Sequence, residues 1–187
     1  MTEKRYYEAI RKWLEQRGYF CGDGMIGPDT GKEHYYQDRG SSMRVDVAGV
    51  KNLGTRQADS IEVACVEVKD SASVRFSDVA QAYGYTAVAN RVYLANRADL
   101  DTYWERFLSR IGLGYLQVQG IKEPVTEKVP SAYFKPDEAS NLEFLRSLWI
   151  VKCAYCGVYF PIGVTWKGES KQLHEAQTKG PDSYPQS

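Results

Sequence analysis

Asp46, Glu67 and Lys69 are the residues whose types and spacing could do chemistry in this chain. The stretch IEVACVEVKD, Ile61 to Asp70, begins as an apolar β-strand and ends in charge. Read alternately, one face carries Ile61, Val63 and Cys65 and then continues with Glu67 and Lys69. A buried carboxylate or ammonium costs several kcal/mol unless it is paired or bound to a metal. Upstream, in RVDVAGV, alternation puts Val45 and Val47 on one face and Asp46 on the other. If the two strands form a hairpin, Asp46 comes beside Glu67. Two adjacent carboxylates repel, so one holds a proton or a cation lies between them. Their hard oxygen atoms suit Mg²⁺ or Mn²⁺, which keep several waters for exchange with substrate. Lys69 could then orient or deprotonate a water, or neutralise charge on a phosphate. The same residues also read as a strand-end ion pair, Glu67 with Lys69, plus a turn acid at Asp46.

The elements that must position them are set by periodicity. TEKRYYEAIRKWLEQRGY places Tyr6, Ile10, Trp13 and Leu14 at helical spacing, with Thr2 as an N-cap and Gly18 as a stop. EHYYQ and MRVDVAGV read as strands, KNLGTRQADS as a hairpin connection, and Ile61 to about Lys69 as a strand. SDVAQAYGYTAVAN predicts a helix capped by Ser77. RVYLA predicts a buried strand, ADLDTYWERFLSRIG a helix closed by Gly112, and LGYLQVQ a strand. The order αβββαβαβ implies an α/β (α+β) domain, a mixed β-sheet flanked by helices on both faces.

Residues 1–120 are expected to form this core. The proline-bearing stretch 121–136 reads as a linker. Residues 137–187 read as a C-terminal helix, a small CxxC β-hairpin and a polar, loose tail.

Asp46, twenty intervening residues, then Glu67-Val68-Lys69 resembles the motif of the PD-(D/E)XK nuclease superfamily, the restriction-endonuclease-like fold. The order of elements over about residues 3 to 119 is similar to that family's. Gln81 and Tyr85 form a Gln-x-x-x-Tyr pattern that resembles the extra motif of the RecB-like branch, and an i, i+4 pair shares one helix face. Taken alone, Gln81 reads equally as a surface amide and Tyr85 as a core aromatic. Where the family often has Pro before its Asp, this chain has Val45.

The resemblance implies that Asp46, Glu67 and the Val68 carbonyl hold the divalent ion. It implies that Lys69 activates or positions the water, and that Gln81 and Tyr85 orient the scissile phosphate or its strand. A Glu on the first helix would join the metal site, with Glu8 the candidate and Glu3 and Glu15 as lesser choices; Glu8 reads equally as a solvated acid. The implied activity is Mg²⁺- or Mn²⁺-dependent (endo)nuclease hydrolysis of phosphodiester bonds, with DNA the expected nucleic acid. Arg75, just before the Gln81 helix, and Arg44 are candidates for holding phosphates.

CAYCGVYF places Cys153 and Cys156 in a C-x-x-C-G turn that resembles one knuckle of a zinc ribbon. A structural Zn²⁺ site needs four ligands. His174 could be a third, and Cys21 or His34 a fourth. A metal-free hairpin with two thiols and a redox pair are the competing readings. Cys65 reads as a small buried hydrophobe.

The chain has 187 residues with 24 Lys plus Arg against 24 Asp plus Glu. That balance excludes a protein that coats nucleic acid through bulk charge, but not a local basic groove. The charged N-terminus is unlike a signal peptide, so an intracellular, cytoplasmic and reducing setting without disulfides is expected. Leu148 to Trp166 approaches membrane-spanning length, but Lys152 and Pro161 interrupt it, so no membrane span is expected. A homodimer is expected if both strands of a duplex are cut. Two further readings compete with the nuclease: an inactive nucleic-acid-binding module of the same fold, and a structural or interaction domain.

Overall fold

The computed structural model describes residues 3–22, 35–38, 41–120 and 124–161. A 3₁₀ turn, Glu3–Tyr6, leads into helix α1, Tyr7–Glu15, which ends before Gly18 at φ +83°. The expected Thr2 cap lies outside the described residues.

Strands β1 (Tyr35–Asp38) and β2 (Ser41–Arg44) form an antiparallel ribbon of their own. The main sheet has five strands in the order β3-β4-β5-β6-β7: Val47–Lys51, Glu62–Val68, Arg91–Asn96, Gly114–Gln117 and Thr126–Val129. The outer pairs are antiparallel, and β4-β5 and β5-β6 are parallel. The two parallel crossovers carry helices α2 (Phe76–Gly84) and α3 (Thr102–Ile111).

Alternation along β4 assigns its faces. Val63 and Cys65 pack with Val79, Ala82, Leu108, Phe144 and Leu145 from α2, α3 and α4 (Glu138–Ser147). Ala64, Val66 and Val68 pack with Ile10, Trp13 and Leu14 of α1. The fold is thus a mixed sheet with α1 on one face and three helices on the other, and the α+β class holds.

Four sequence expectations change. The strand read through MRVDVAGV breaks at Val45–Asp46, with β2 before the break and β3 after it. Val45 and Val47 therefore enter opposite halves of the core, not one face.

Helix α2 starts at Phe76, so Ser77 lies inside it. Asp78 closes the first turn by accepting the backbone N–H of Arg75 at 3.3 Å. The helix also stops early, at Gly84, with a 3₁₀ turn Tyr85–Ala87 after it.

The segment read as a linker, 121–136, contains β7, because Thr126–Val129 finds the free edge of β6. Ser131 then donates from its hydroxyl to its own neighbour's carbonyl and accepts the Val92 N–H at 3.0 Å. Prolines at 124 and 130 bracket this edge strand, a position that tolerates them.

The C-terminal helix is no appendage. Phe144, Leu145, Leu148, Ile150 and Tyr159 are buried in the same core as Val63 and Leu94. Asn141 donates to the Val88 carbonyl at 2.8 Å. The CxxC turn does join a small hairpin, β8 (Ile150–Lys152) with β9 (Tyr159–Pro161). The tail from residue 162 onward, including His174, lies outside the described residues, as does His34.

No helix among the described residues is long and apolar enough to cross a membrane.

Candidate active site

The β3-β4 register pairs Val47 with Val66, so Asp46 and Glu67 are the next positions along the hairpin. The bend at Asp46 turns its carboxylate back across the strand end. One oxygen accepts the Tyr7 hydroxyl at 2.6 Å and the other accepts the Val68 N–H at 2.9 Å. A strand, a helix and a bend therefore fix this one acid. Its partner Glu67 is 1 % exposed. Lys69 Nζ lies 2.5 Å from Glu67 Oε1, and the Tyr85 hydroxyl contacts Oε2. Lys69 also donates to Gln81 Oε1 at 3.2 Å. Gln81 and Tyr85, four residues apart along the α2 face and its 3₁₀ extension, thus reach the same pair from above the sheet.

The electrostatics reflect this crowding. Burial, and then the Asp46 charge, push the Glu67 carboxyl up to about 7, while Lys69 and Tyr85 pull the other way. Burial disfavours the Lys69 cation, but the hydrogen bond and charge of Glu67 outweigh it and hold the ammonium above its ordinary value. Lys69 is therefore a cation at neutral pH, suited to charge neutralisation and not to accepting a proton. The Tyr85 hydroxyl also reaches the Arg44 backbone carbonyl. One hydroxyl proton serves two acceptors only if Glu67 carries a proton of its own and donates it to the Tyr85 oxygen.

Several expected site residues stand elsewhere. Glu8 is on the outer side of α1, half exposed, paired with Arg11 at 3.1 Å and Lys12 at 3.5 Å. Helical geometry explains this: Tyr7, Ile10 and Leu14 take the inward face, which turns Glu8 out. Glu3, one turn earlier, is the first-helix acid whose charge reaches the site, acting on both Tyr7 and Lys69. Arg44 contributes its backbone carbonyl, and its side chain is exposed. Arg75 is exposed at the start of α2.

Sequence reasoning missed Tyr7, which presents a hydroxyl to Asp46, and a second layer beside Lys69. There, Asp70 pairs with Arg5 at 3.0 Å and Arg97 at 3.5 Å, and accepts the Tyr6 hydroxyl at 3.2 Å. Asn96, buried at the end of β5, accepts the N–H groups of Ser71 and Arg97 and donates to the Ser71 hydroxyl and the Ser73 carbonyl. A buried Asn at a strand end was the available signal, since a buried amide must find partners.

Among the described residues no group of three His, Cys, Asp or Glu side chains could hold a metal ion. A divalent ion here would have two carboxylates, Asp46 and Glu67, with backbone oxygen and water for the rest, a donor set that suits Mg²⁺. One observation favours that fit. Glu67 Oε1 is fully buried and lacks a well-aligned hydrogen bond, despite the nearby ammonium.

No protein-family model matches the chain. No curated protein matches it either. Among solved structures, a protein of unknown function from Silicibacter pomeroyi aligns with a TM-score of 0.48 and 17% identity, over 79% of this chain and 84% of that one.

Proposed function

We propose that the chain is a divalent-metal-dependent nuclease of the PD-(D/E)XK type that hydrolyses phosphodiester bonds, with DNA the expected substrate. One observation carries this reading. Asp46 and Glu67, from the two strands of one hairpin, meet Lys69, Gln81 and Tyr85 at the end of a central strand. Asp46, Glu67 and the Val68 carbonyl would hold Mg²⁺ or Mn²⁺. In an antiparallel strand, the N–H and C=O of one residue project to the same side, so a Val68 N–H aimed at Asp46 turns its carbonyl that way too. When bound, the ion supplies positive charge opposite a phosphate and acidifies water.

The chain's own residues supply the rest. Lys69 holds a proton at Nζ and offers its charge to a phosphate oxygen, which has most effect where water is scarce. Gln81 steadies Lys69 through Oε1, leaving its amide N–H₂ to donate to the substrate strand. Tyr85 acts on Glu67, and Tyr7 on Asp46, as positioning residues. Arg75 and Arg44 stay in the proposal as exposed phosphate contacts.

A second reading rests on the saturation of the two acids. Tyr7, the Val68 N–H, Lys69 and Tyr85 could together make a self-contained buried ion-pair network, in an interaction domain or an inactive nucleic-acid-binding module.

The deciding experiment is cleavage of supercoiled, linear, single-stranded and branched DNA, and of RNA, in Mg²⁺ or Mn²⁺. Wild type should cleave at least one of these substrates, and Asp46→Ala and Glu67→Ala none. Lys69→Ala should lose cleavage yet bind the ion with nearly unchanged affinity by calorimetry. Absence of both cleavage and ion binding in the wild type selects the network reading.

A further inference from the structure

The CxxC hairpin stands outside the carboxylate site, and its geometry points to a ligand of different chemistry. Cys153 and Cys156 are free thiols, both partly exposed. Between them the chain makes a tight turn. Gly157 N–H donates to the Cys153 carbonyl at 2.9 Å, and Cys153 N–H donates to the Val158 carbonyl at 2.8 Å. Gly157 holds φ +74°, a conformation that a residue with a Cβ adopts only with strain. The turn directs the backbone N–H groups of Cys156, Tyr155 and Gly157 at the Cys153 sulfur, and these donors hold that thiol below its ordinary range. Donors converging on sulfur stabilise thiolate, the form that ligates a metal. Tyr155, at the tip of the turn, is 80 % exposed, so the face of the knuckle is open to solvent.

We propose that Cys153 and Cys156 form one half of a tetrahedral thiolate site for Zn²⁺, completed by two ligands from outside the described residues. Two sulfur ligands on a C-x-x-C-G turn suit Zn²⁺ and disfavour Mg²⁺, so the two metals of this chain would not compete for one site. The described residues offer no third His, Cys, Asp or Glu at the turn. The remaining ligands come either from elsewhere in the same chain or from the knuckle of a second copy. Metal binding here is independent of the nuclease reading, because the hairpin joins the core at the β3-β4 connection. There Gly54 N–H donates to the Tyr159 carbonyl at 3.0 Å, and Tyr159 N–H donates to the Thr55 carbonyl at 2.9 Å.

The test uses the full chain in reducing buffer, saturated with Zn²⁺, desalted and assayed for bound metal against a chromophoric chelator. Wild type and Asp46→Ala should retain Zn²⁺ equally. Cys153→Ser and Cys156→Ser should each lose more than roughly tenfold in affinity, since even outer-shell changes cost about that much. Co²⁺ in place of Zn²⁺ should give a thiolate charge-transfer band that disappears in the double Ser variant. One ion per chain assigns the missing ligands to the same chain, and one per two chains assigns them to a second copy; both support the site. If the Ser variants fail to fold, thiol labelling of wild type decides instead. Zn²⁺ should protect two thiols, and a chelator should expose them. A wild type that takes up no Zn²⁺, a double variant that keeps it, or labelling unaffected by metal overturns the proposal.

Discussion

Glu67 concentrates the energetics of the site. Its carboxyl is held near 7 against an ordinary value of 4.5. Below the lower value, folded and unfolded chains both carry the proton. Between the two values only the folded chain keeps it, so stability falls as pH rises through this window and levels off above about 7. In metal-free buffer, wild type should lose stability relative to Glu67→Gln between pH 4.5 and 7, read from denaturant midpoints at each pH. A constant difference across that range would rule out a retained proton. Tyr85→Phe removes the hydroxyl that serves both Glu67 and the Arg44 carbonyl, and should cost about 1–3 kcal/mol in urea unfolding at pH 7. Asp46, Glu67, Lys69, Gln81 and Tyr85 were legible because acid, base and amide recur at spacings that topology converts into proximity. Glu8 was misread because its side of α1 depends on which aromatic residues turn inward. That is a packing outcome decided by Tyr7 against Asp46, not by helical period alone.

At the scale of elements, the site depends on the segment after β4. Residues 70–73 have no regular structure and are held by Asn96 at the end of the neighbouring parallel strand. Asn96→Ala should cost about 2–3 kcal/mol, because several buried backbone and hydroxyl groups lose their partner together. It should also lower cleavage by loosening Lys69, an effect that Mg²⁺ saturation would not restore. On β6, a Cβ at Gly114 would lie 2.3 Å from Tyr93 Cδ1 and 3.0 Å from Ser131 Cβ. Gly114→Ala should destabilise by about 1–3 kcal/mol through displacement of that buried ring, measured by thermal or urea unfolding. Helices and strands with clear periodicity could be read from sequence. Strand β7 could not, because TEKV carries an edge-strand pattern with a single buried residue, Val129, and its pairing is decided by the exposed edge of β6. The break at Val45–Asp46 was equally illegible, since a bend made to reach Tyr7 leaves no mark on hydrophobic alternation.

For the whole molecule, the C-terminal helix and hairpin complete the core. Leu145 is fully buried beside Phe144, and Leu145→Ala should cost about 2–5 kcal/mol. The loss should appear in one cooperative transition, not in a separate early melt of residues 137 onward. Two resolved transitions would restore the picture of an appended unit. Proline content suggested a boundary where the chain instead lays down its last sheet strand, because composition reports local stiffness while burial of Phe144 and Ile150 is decided by α2 and β4.

The two backbone bonds between Tyr159 and the Gly54–Thr55 turn carry a consequence in time. A ribosome exposes the strands bearing Asp46, Glu67 and Lys69 roughly a hundred residues before it exposes Tyr159, and chains generally fold from the N-terminal side as they emerge. The hairpin that brings the two acids together is therefore left without its distal clasp until synthesis is nearly complete. A truncated or stalled product would carry every acid, base and amide of the site and still lack the tie that closes the loop between its two strands.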